Sequence, residues 1–239
     1  METLLGHLAK FGSFLNQGEV LCTGGLAYLL KNYAEARSEL ASELAARAGI
    51  KVSDDLSWVA EARQDDTGRP DLEARTSDKT PIIKVEAKLD ALFNATQFRS
   101  YVSDLQTRLQ GQQLEGLLLV LVPRARTNNA TGVVKGEFGL DGAGPWRARD
   151  YPDVAIAVIS WDDVLTALGR VQHQGFRAEL AQFEGMYREL SSYEIWPLAG
   201  PEELVKWRDR ERDFVKLVDQ VTKRLTTQHG LYPMAIEPI

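Results

Sequence analysis

The sequence is poor in the residues that build covalent or soft-metal scaffolds. Cysteine occurs once, at Cys22, which excludes an intramolecular disulfide. Histidine occurs three times, at His7, His173 and His229, too few and too scattered for a cysteine and histidine zinc site or a histidine-based catalytic centre. Any metal must therefore be held by oxygen. No stretch reaches the roughly eighteen consecutive apolar residues of a membrane-spanning helix. The longest apolar run is residues 117–122, so membrane insertion is not expected. There is no glycine-rich phosphate loop followed by lysine, no recognisable nucleophile motif around Ser13, Ser160 or Cys22, and no internal repeat or low-complexity tract. The net charge of −6 argues against coating nucleic acid by bulk electrostatics, while leaving room for a local basic groove on an acidic protein.

What is present is ordinary globular composition: 44% hydrophobic and 26% charged residues in a chain of 239, enough to bury one sizeable α/β core with a helical appendage but not two full domains. Near the N-terminus, Leu4, Leu8, Phe11 and Leu15 recur at helical spacing with polar residues between them. That pattern is unlike the continuous apolar run of a signal peptide, so a cytoplasmic protein is expected.

Helical patterns continue over residues 18–33 and 33–48, the latter stopping at Gly49. The period then changes. Residues 56–63, 71–75 and 81–88 read as three strands of a meander, with a turn rich in Asp and Gly at 64–69. Residues 91–109 return to helix, with Phe98, Val102, Leu105 and Leu109 on one stripe and Gln97, Tyr101 and Arg108 on its neighbour. Residues 117–122 and 154–159 read as strands buried on both faces, and Ser160 as the cap of a following helix. Glycine-rich residues 124–150 read as a long, mobile loop or irregular hairpin. Phe176, Leu180, Phe183, Tyr187 and Leu190 mark another helix, and a long one is expected over 202–227. The order fits an α/β sandwich with a mixed central sheet, a core spanning residues 1–170 and a C-terminal helical extension over 171–239, packed on the core or at a dimer interface.

The most informative letters are Pro70-Asp71 and, fifteen residues on, Glu86-Ala87-Lys88 at the end of an apolar strand. Alternate strand residues share a face, so Glu86 and Lys88 project together while Ala87 turns to the core. A carboxylate on the preceding strand can then stand beside Glu86. Paired carboxylates suit Mg²⁺, which takes oxygen ligands and keeps several waters. An adjacent lysine can orient a water or stabilise charge growing on a phosphate.

These residues resemble the signature of the PD-(D/E)xK phosphodiesterase superfamily, the restriction-endonuclease-like nucleases. Upstream, Glu19-Val20-Leu21-Cys22-Thr23 with Leu26, Leu29 and Leu30 resembles a first-helix motif whose glutamate reaches the metal site; Gly24-Gly25 departs from it and points to a bent helix. Downstream, Gln97 and Tyr101 resemble a glutamine and aromatic found on the helix after the lysine strand, one turn apart on one face. The likeness spans residues 15–122, with 154–168 similar to the next strand and helix. It implies a restriction-endonuclease-like fold in which Asp71, Glu86 and the Ala87 carbonyl bind Mg²⁺ or Mn²⁺. It further implies that Glu19 completes the site or recruits a second ion, Lys88 positions the attacking water, and Gln97 contacts the lysine, the water or a phosphate. Nucleic acid is the implied partner, DNA ahead of RNA, in settings such as restriction or phage defence. Arg99, Arg108, Arg124, Arg126 and Lys135 are the cations proposed for backbone contacts.

Each residue has a plainer reading. Glu-x-Lys at a strand end is commonly a pair of solvated charges, Glu19 suits any helix first turn, and Tyr101 can simply pack beside Phe98. Glu73, two residues past Asp71 on one strand face, is an alternative ligand. The competing class is a catalytically inactive nuclease-like module that binds nucleic acid or a protein, or a helical scaffold dimerising through its C-terminal helices.

Overall fold

The computed structural model describes residues 4, 18–60, 69–89 and 93–191. Residues 1–191 form one compact unit and residues 192–239 a second, which lies outside the described residues together with the long helix expected there. Most of the N-terminal helical pattern and the turn at 64–68 also fall outside them.

Within residues 18–60 two helices come first, α1 (Gly18–Asn32) and α2 (Ala34–Ala48), the latter ended by Gly49 in the left-handed conformation with its N–H donating to the Ala45 carbonyl. Strands β1 (Ser57–Ala60), β2 (Leu72–Arg75) and β3 (Pro81–Ala87) form an antiparallel meander. Helix α3 (Ala95–Leu109) carries the chain to β4 (Gly116–Val122), parallel to β3. A 3₁₀ turn (Arg124–Arg126), helix α4 (Thr127–Phe138) and the two-residue β5 (Trp146–Arg147) lead to β6 (Val154–Ser160), parallel to β4. Helices α5 (Trp161–Leu168) and α6 (Gln174–Ser191) follow. Among the described residues the sheet has six strands in the order β1-β2-β3-β4-β6-β5, antiparallel at both edges and parallel through β3, β4 and β6. The fold is α/β with a mixed open sheet.

Alternation along the buried strands divides the core in two. Ile83, Val85, Leu117, Leu119, Leu121, Ala155, Ala157 and Ile159 pack with α1, α2, α5 and α6. On the other face Leu118, Val120, Val122, Val154 and Ile156 pack with Phe98, Val102 and Leu105 of α3 and Ala130 and Val134 of α4. Ser160 caps α5 as its sequence predicts, reciprocally with Asp163.

Residues 124–150 depart from the expected loop. Ala130, Val134 and Phe138 recur every fourth residue and pack into the second core, which outweighs the roughly 1 kcal/mol that each helical glycine costs. Gly132 and Gly136 sit on the solvent side, where an added Cβ meets nothing within 4 Å. Helix α6, past residue 170, is part of the compact unit: Phe176 and Phe183 are fully buried, and Glu179 accepts from the hydroxyls of Tyr28 and Tyr33 at 3.0 and 2.9 Å.

Gly24-Gly25 do not interrupt α1, which is continuous to Asn32. Gly25 serves close packing instead, because a Cβ there would lie 2.8 Å from the Phe183 ring of α6. Gly25→Ala therefore gains about 1 kcal/mol of helix propensity against an overpacking cost of about 1–3 kcal/mol, and the cost prevails because the ring is fully buried against Trp161. Urea denaturation should show Gly25→Ala less stable than wild type. Gly185→Ala, on the open face of α6, should come out more stable. The opposite order would contradict this packing.

Candidate active site

The antiparallel pairing of β2 with β3 brings together letters fifteen apart. Leu72 pairs with Val85, so the residue before one and the residue after the other, Asp71 and Glu86, face each other across the hairpin. The Asp71 N–H donates to the Val85 carbonyl at 3.1 Å, and its carboxylate Oδ2 accepts the Ala87 N–H at 2.8 Å. Ala87 is fully buried, and Glu86 and Lys88 project to the opposite face of β3 from it.

Lys88 is the centre of the group. Its Nζ stands 2.8 Å from Glu86 Oε1, 3.2 Å from Glu19 Oε2 and 3.9 Å from Asp71 Oδ2, and donates to the Ala87 carbonyl at 3.2 Å. Glu19 belongs to α1, on the other side of the sheet, and reaches round the end of β3, where its second oxygen accepts the Leu89 N–H at 2.9 Å. From α3, Gln97 Nε2 donates to Glu86 Oε2 at 3.0 Å and to the Tyr101 hydroxyl at 2.5 Å. That hydroxyl donates to the Arg69 carbonyl at 2.6 Å, two residues ahead of Asp71. Asp71, Glu86, Lys88, Glu19 and Gln97 thus share one place at the carboxyl end of β3.

Three carboxylates surround one ammonium in a largely buried setting, and the electrostatics follow. Burial first, and then the like charge of Glu86, push the Asp71 carboxyl up to about 7, against the opposing pull of Lys88 and the Ala87 N–H. Burial also raises Glu86, although Lys88 opposes it. Burial disfavours the Lys88 charge, but the carboxylates outweigh that and hold it firmly protonated. The Tyr101 hydroxyl is raised by burial and by Glu86, so it stays neutral and able to donate. Cys22, buried below and pushed up to about 12 by desolvation, is an inert thiol.

Glu73 stands apart. It lies opposite Lys84 in the strand register and is ion-paired with Arg75. The five expected phosphate-contacting cations have varied settings. Arg126 is buried, its guanidinium 4.9 Å from the Phe93 ring and donating to the Leu89 carbonyl at 2.9 Å, so it braces the segment after Lys88 and is not placed to meet a phosphate. Arg99 is paired with Glu137, Arg108 with Asp104, and Lys135 donates to the Gly142 carbonyl. Arg124 has a side chain 68% exposed, 3.6 Å from Asp163, just past the end of β4.

No family model, curated protein or solved structure matches this chain.

Among the described residues no three His, Cys, Asp or Glu side chains stand in a ready ligand arrangement, because the carboxylates converge on Lys88. Their donor chemistry nevertheless suits a hard cation. Asp71, Glu86, Glu19 and the Ala87 carbonyl offer only oxygen, and the excess of carboxylate over ammonium is what Mg²⁺ or Mn²⁺ would neutralise. Sequence reasoning missed the inward roles of Arg126 and of Lys84, which is fully buried beside Asp104. For Lys84 a signal existed, since it alternates with Glu86 inside an apolar strand.

A carboxyl with an ordinary value of 3.8 held near 7 after folding retains, between those pH values, a proton that the unfolded chain releases. Its contribution to stability is therefore present at low pH and lost as pH rises towards 7. Asp71→Asn removes that dependence. In urea titrations without metal its advantage over wild type should grow by on the order of 1–3 kcal/mol between pH 5 and pH 8. A difference constant across that range would contradict the buried repulsion.

Proposed function

We propose that this chain is a metal-dependent phosphodiesterase that hydrolyses nucleic acid, DNA in preference to RNA, on a restriction-endonuclease-like core. The observation that carries the reading is the convergence of Asp71, Glu86 and Lys88 at the carboxyl end of β3, with Glu19 arriving from α1. The mixed sheet with an antiparallel hairpin feeding parallel strands is compatible with such a core, and a role in restriction or phage defence is the setting the sequence resemblance favours.

Asp71, Glu86 and the Ala87 carbonyl would hold Mg²⁺ or Mn²⁺, and Glu19 would complete the set or serve a second ion. A divalent ion there supplies Lewis-acid neutralisation of phosphate charge and makes water easier to deprotonate. Lys88, permanently cationic, orients the attacking water and faces the charge that grows on the phosphate. Asp71 is held in line by the Ala87 N–H, and Gln97 holds the outer oxygen of Glu86. Arg124 lies at the same end of the sheet, because β3 and β4 are parallel and Ala87 pairs with Leu121. It is the best placed of the five cations to turn to a backbone phosphate.

One observation favours a second reading, an inactive module that binds nucleic acid or a protein. The carboxylates are closed on Lys88, and most of the expected phosphate contacts are already paired within the chain.

The two readings separate in one assay. Wild type, Asp71→Ala and Lys88→Ala are incubated with single-stranded DNA, duplex DNA and RNA in Mg²⁺, Mn²⁺ or EDTA. The hydrolase reading expects cleavage that needs metal and falls by about 10²-fold or more in each variant. Binding without cleavage, or equal cleavage by all three proteins, rejects it. In thermal denaturation, Mn²⁺ at a hundred times its Kd should add about 2.7 kcal/mol to wild type and much less to Asp71→Ala.

A further inference from the structure

The face of β3 that carries Glu86 also carries, two residues earlier, a lysine in a place where lysine is rarely found. The Lys84 side chain is fully buried. Its Nζ is 2.6 Å from Asp104 Oδ2 of α3 and 5.3 Å from the centre of the Tyr101 ring. Asp104 is held from its other side by Arg108, at 2.9 Å. On α3 the residues Gln97, Tyr101, Asp104 and Arg108 follow at intervals of four, three and four, so they form one polar stripe beside the apolar stripe of Phe98, Val102, Leu105 and Leu109. The two polar rows meet: Glu86 with Gln97, and Lys84 with Asp104 two turns further along the helix.

We propose that Lys84 and Asp104 are positioning residues, a charge pair with a fully buried ammonium and a partly buried carboxylate that fixes the register of α3 on β3 and thereby delivers Gln97 and Tyr101 to the carboxylate of Glu86. Apolar packing is non-directional, and the leucines, valines and phenylalanines between α3 and the sheet do not by themselves forbid a rotation or slip of the helix. A slip of one turn moves a helical residue by about 5.4 Å, far beyond the 3.0 Å at which Gln97 reaches Glu86. A slip of α3 takes the Asp104 carboxylate, now 2.6 Å away, from a fully buried ammonium, and although Glu73 lies opposite Lys84 in the strand register, losing one partner of a buried ion is destabilising, so slipped arrangements are penalised. The energetic cost of burying Lys84, whose ammonium is pushed below the usual lysine range by desolvation, is consistent with a role in specificity ahead of stability. Lys84 also underlies the Tyr101 ring, and the Tyr101 hydroxyl grips Arg69. The pair thus acts on both strands of the hairpin, on Glu86 through Gln97 and on the approach to Asp71 through Arg69. The kinetic consequence rests on the hydrolase reading; the structural consequence does not.

The test replaces the pair by apolar residues of similar volume, Lys84→Met with Asp104→Leu, in the full chain. Three measurements are made: the urea midpoint, the side-chain amide NMR signals of Gln97 in ¹⁵N-labelled protein, and Mn²⁺-dependent DNA cleavage. The proposal expects a midpoint equal to or above wild type, Gln97 signals moved to the position of a solvent-exposed glutamine, and kcat lowered roughly 10- to 100-fold with little change in KM. Gln97 signals and kcat both as in wild type, in a folded double variant, would overturn it. If wild type itself does not cleave DNA, the hydrolase reading fails and the Gln97 signals alone decide the register claim. Should the double variant not fold, Asp104→Asn, which keeps the shape and removes the charge, gives the same Gln97 comparison. Lys84→Arg, which keeps the charge, should leave those signals close to wild type.

Discussion

One ammonium holds this site together. Lys88 sits where three carboxylates from separate places, helix α1, the residue before β2 and the end of β3, would otherwise repel each other in a largely buried space. Their like charges are tolerable because a cation stands among them, and burial, followed by the charge of Glu86, still pushes the Asp71 carboxyl up to about 7. Such an arrangement is costly to a fold that had only stability to satisfy. Acids held together against their own repulsion are a common mark of a functional site.

The scaffold explains how so distant a set of residues meets. Antiparallel pairing places the start of β2 beside the end of β3, the parallel strands beyond supply a rigid floor buried on both faces, and α1 and α3 lie on opposite faces of that floor. Glu19 comes round the sheet end from one side and Gln97 comes down on Glu86 from the other. Each acid is then fixed by a second contact: Asp71 by the Ala87 N–H, Glu19 by the Leu89 N–H, Glu86 by Gln97. Arg126 extends this bracing by holding the carbonyl of the same Leu89.

Much of this was legible from letters alone, and the reasons are specific. Glu86 and Lys88 share a face because strands alternate, and Asp71 joins them because a meander returns the chain antiparallel to itself; neither step needs coordinates. Buried strands such as β4 announce themselves by uninterrupted apolar runs, and the cap of α5 by Ser160. What stayed hidden depended on partners far away in sequence. Arg126 reads as a cation for phosphate, and Lys84 carries no assigned role, until the Leu89 carbonyl and Asp104 are brought to them. Helix α4 was masked by glycines whose solvent-facing placement only the packing of Ala130 and Val134 reveals. Gly25 reads as a bend in the helix until Phe183 is laid against it.

Under the proposed function, the carboxylates of Asp71 and Glu86, with the carbonyl of Ala87, close on a single divalent ion. Anomalous diffraction from crystals soaked in Mn²⁺ would locate such an ion. The expected result is a peak within bonding distance of all three oxygens, with the Lys88 ammonium displaced to one side. Well-ordered Mn²⁺-soaked crystals in which those carboxylates remain closed on Lys88, with no peak between them, would contradict it.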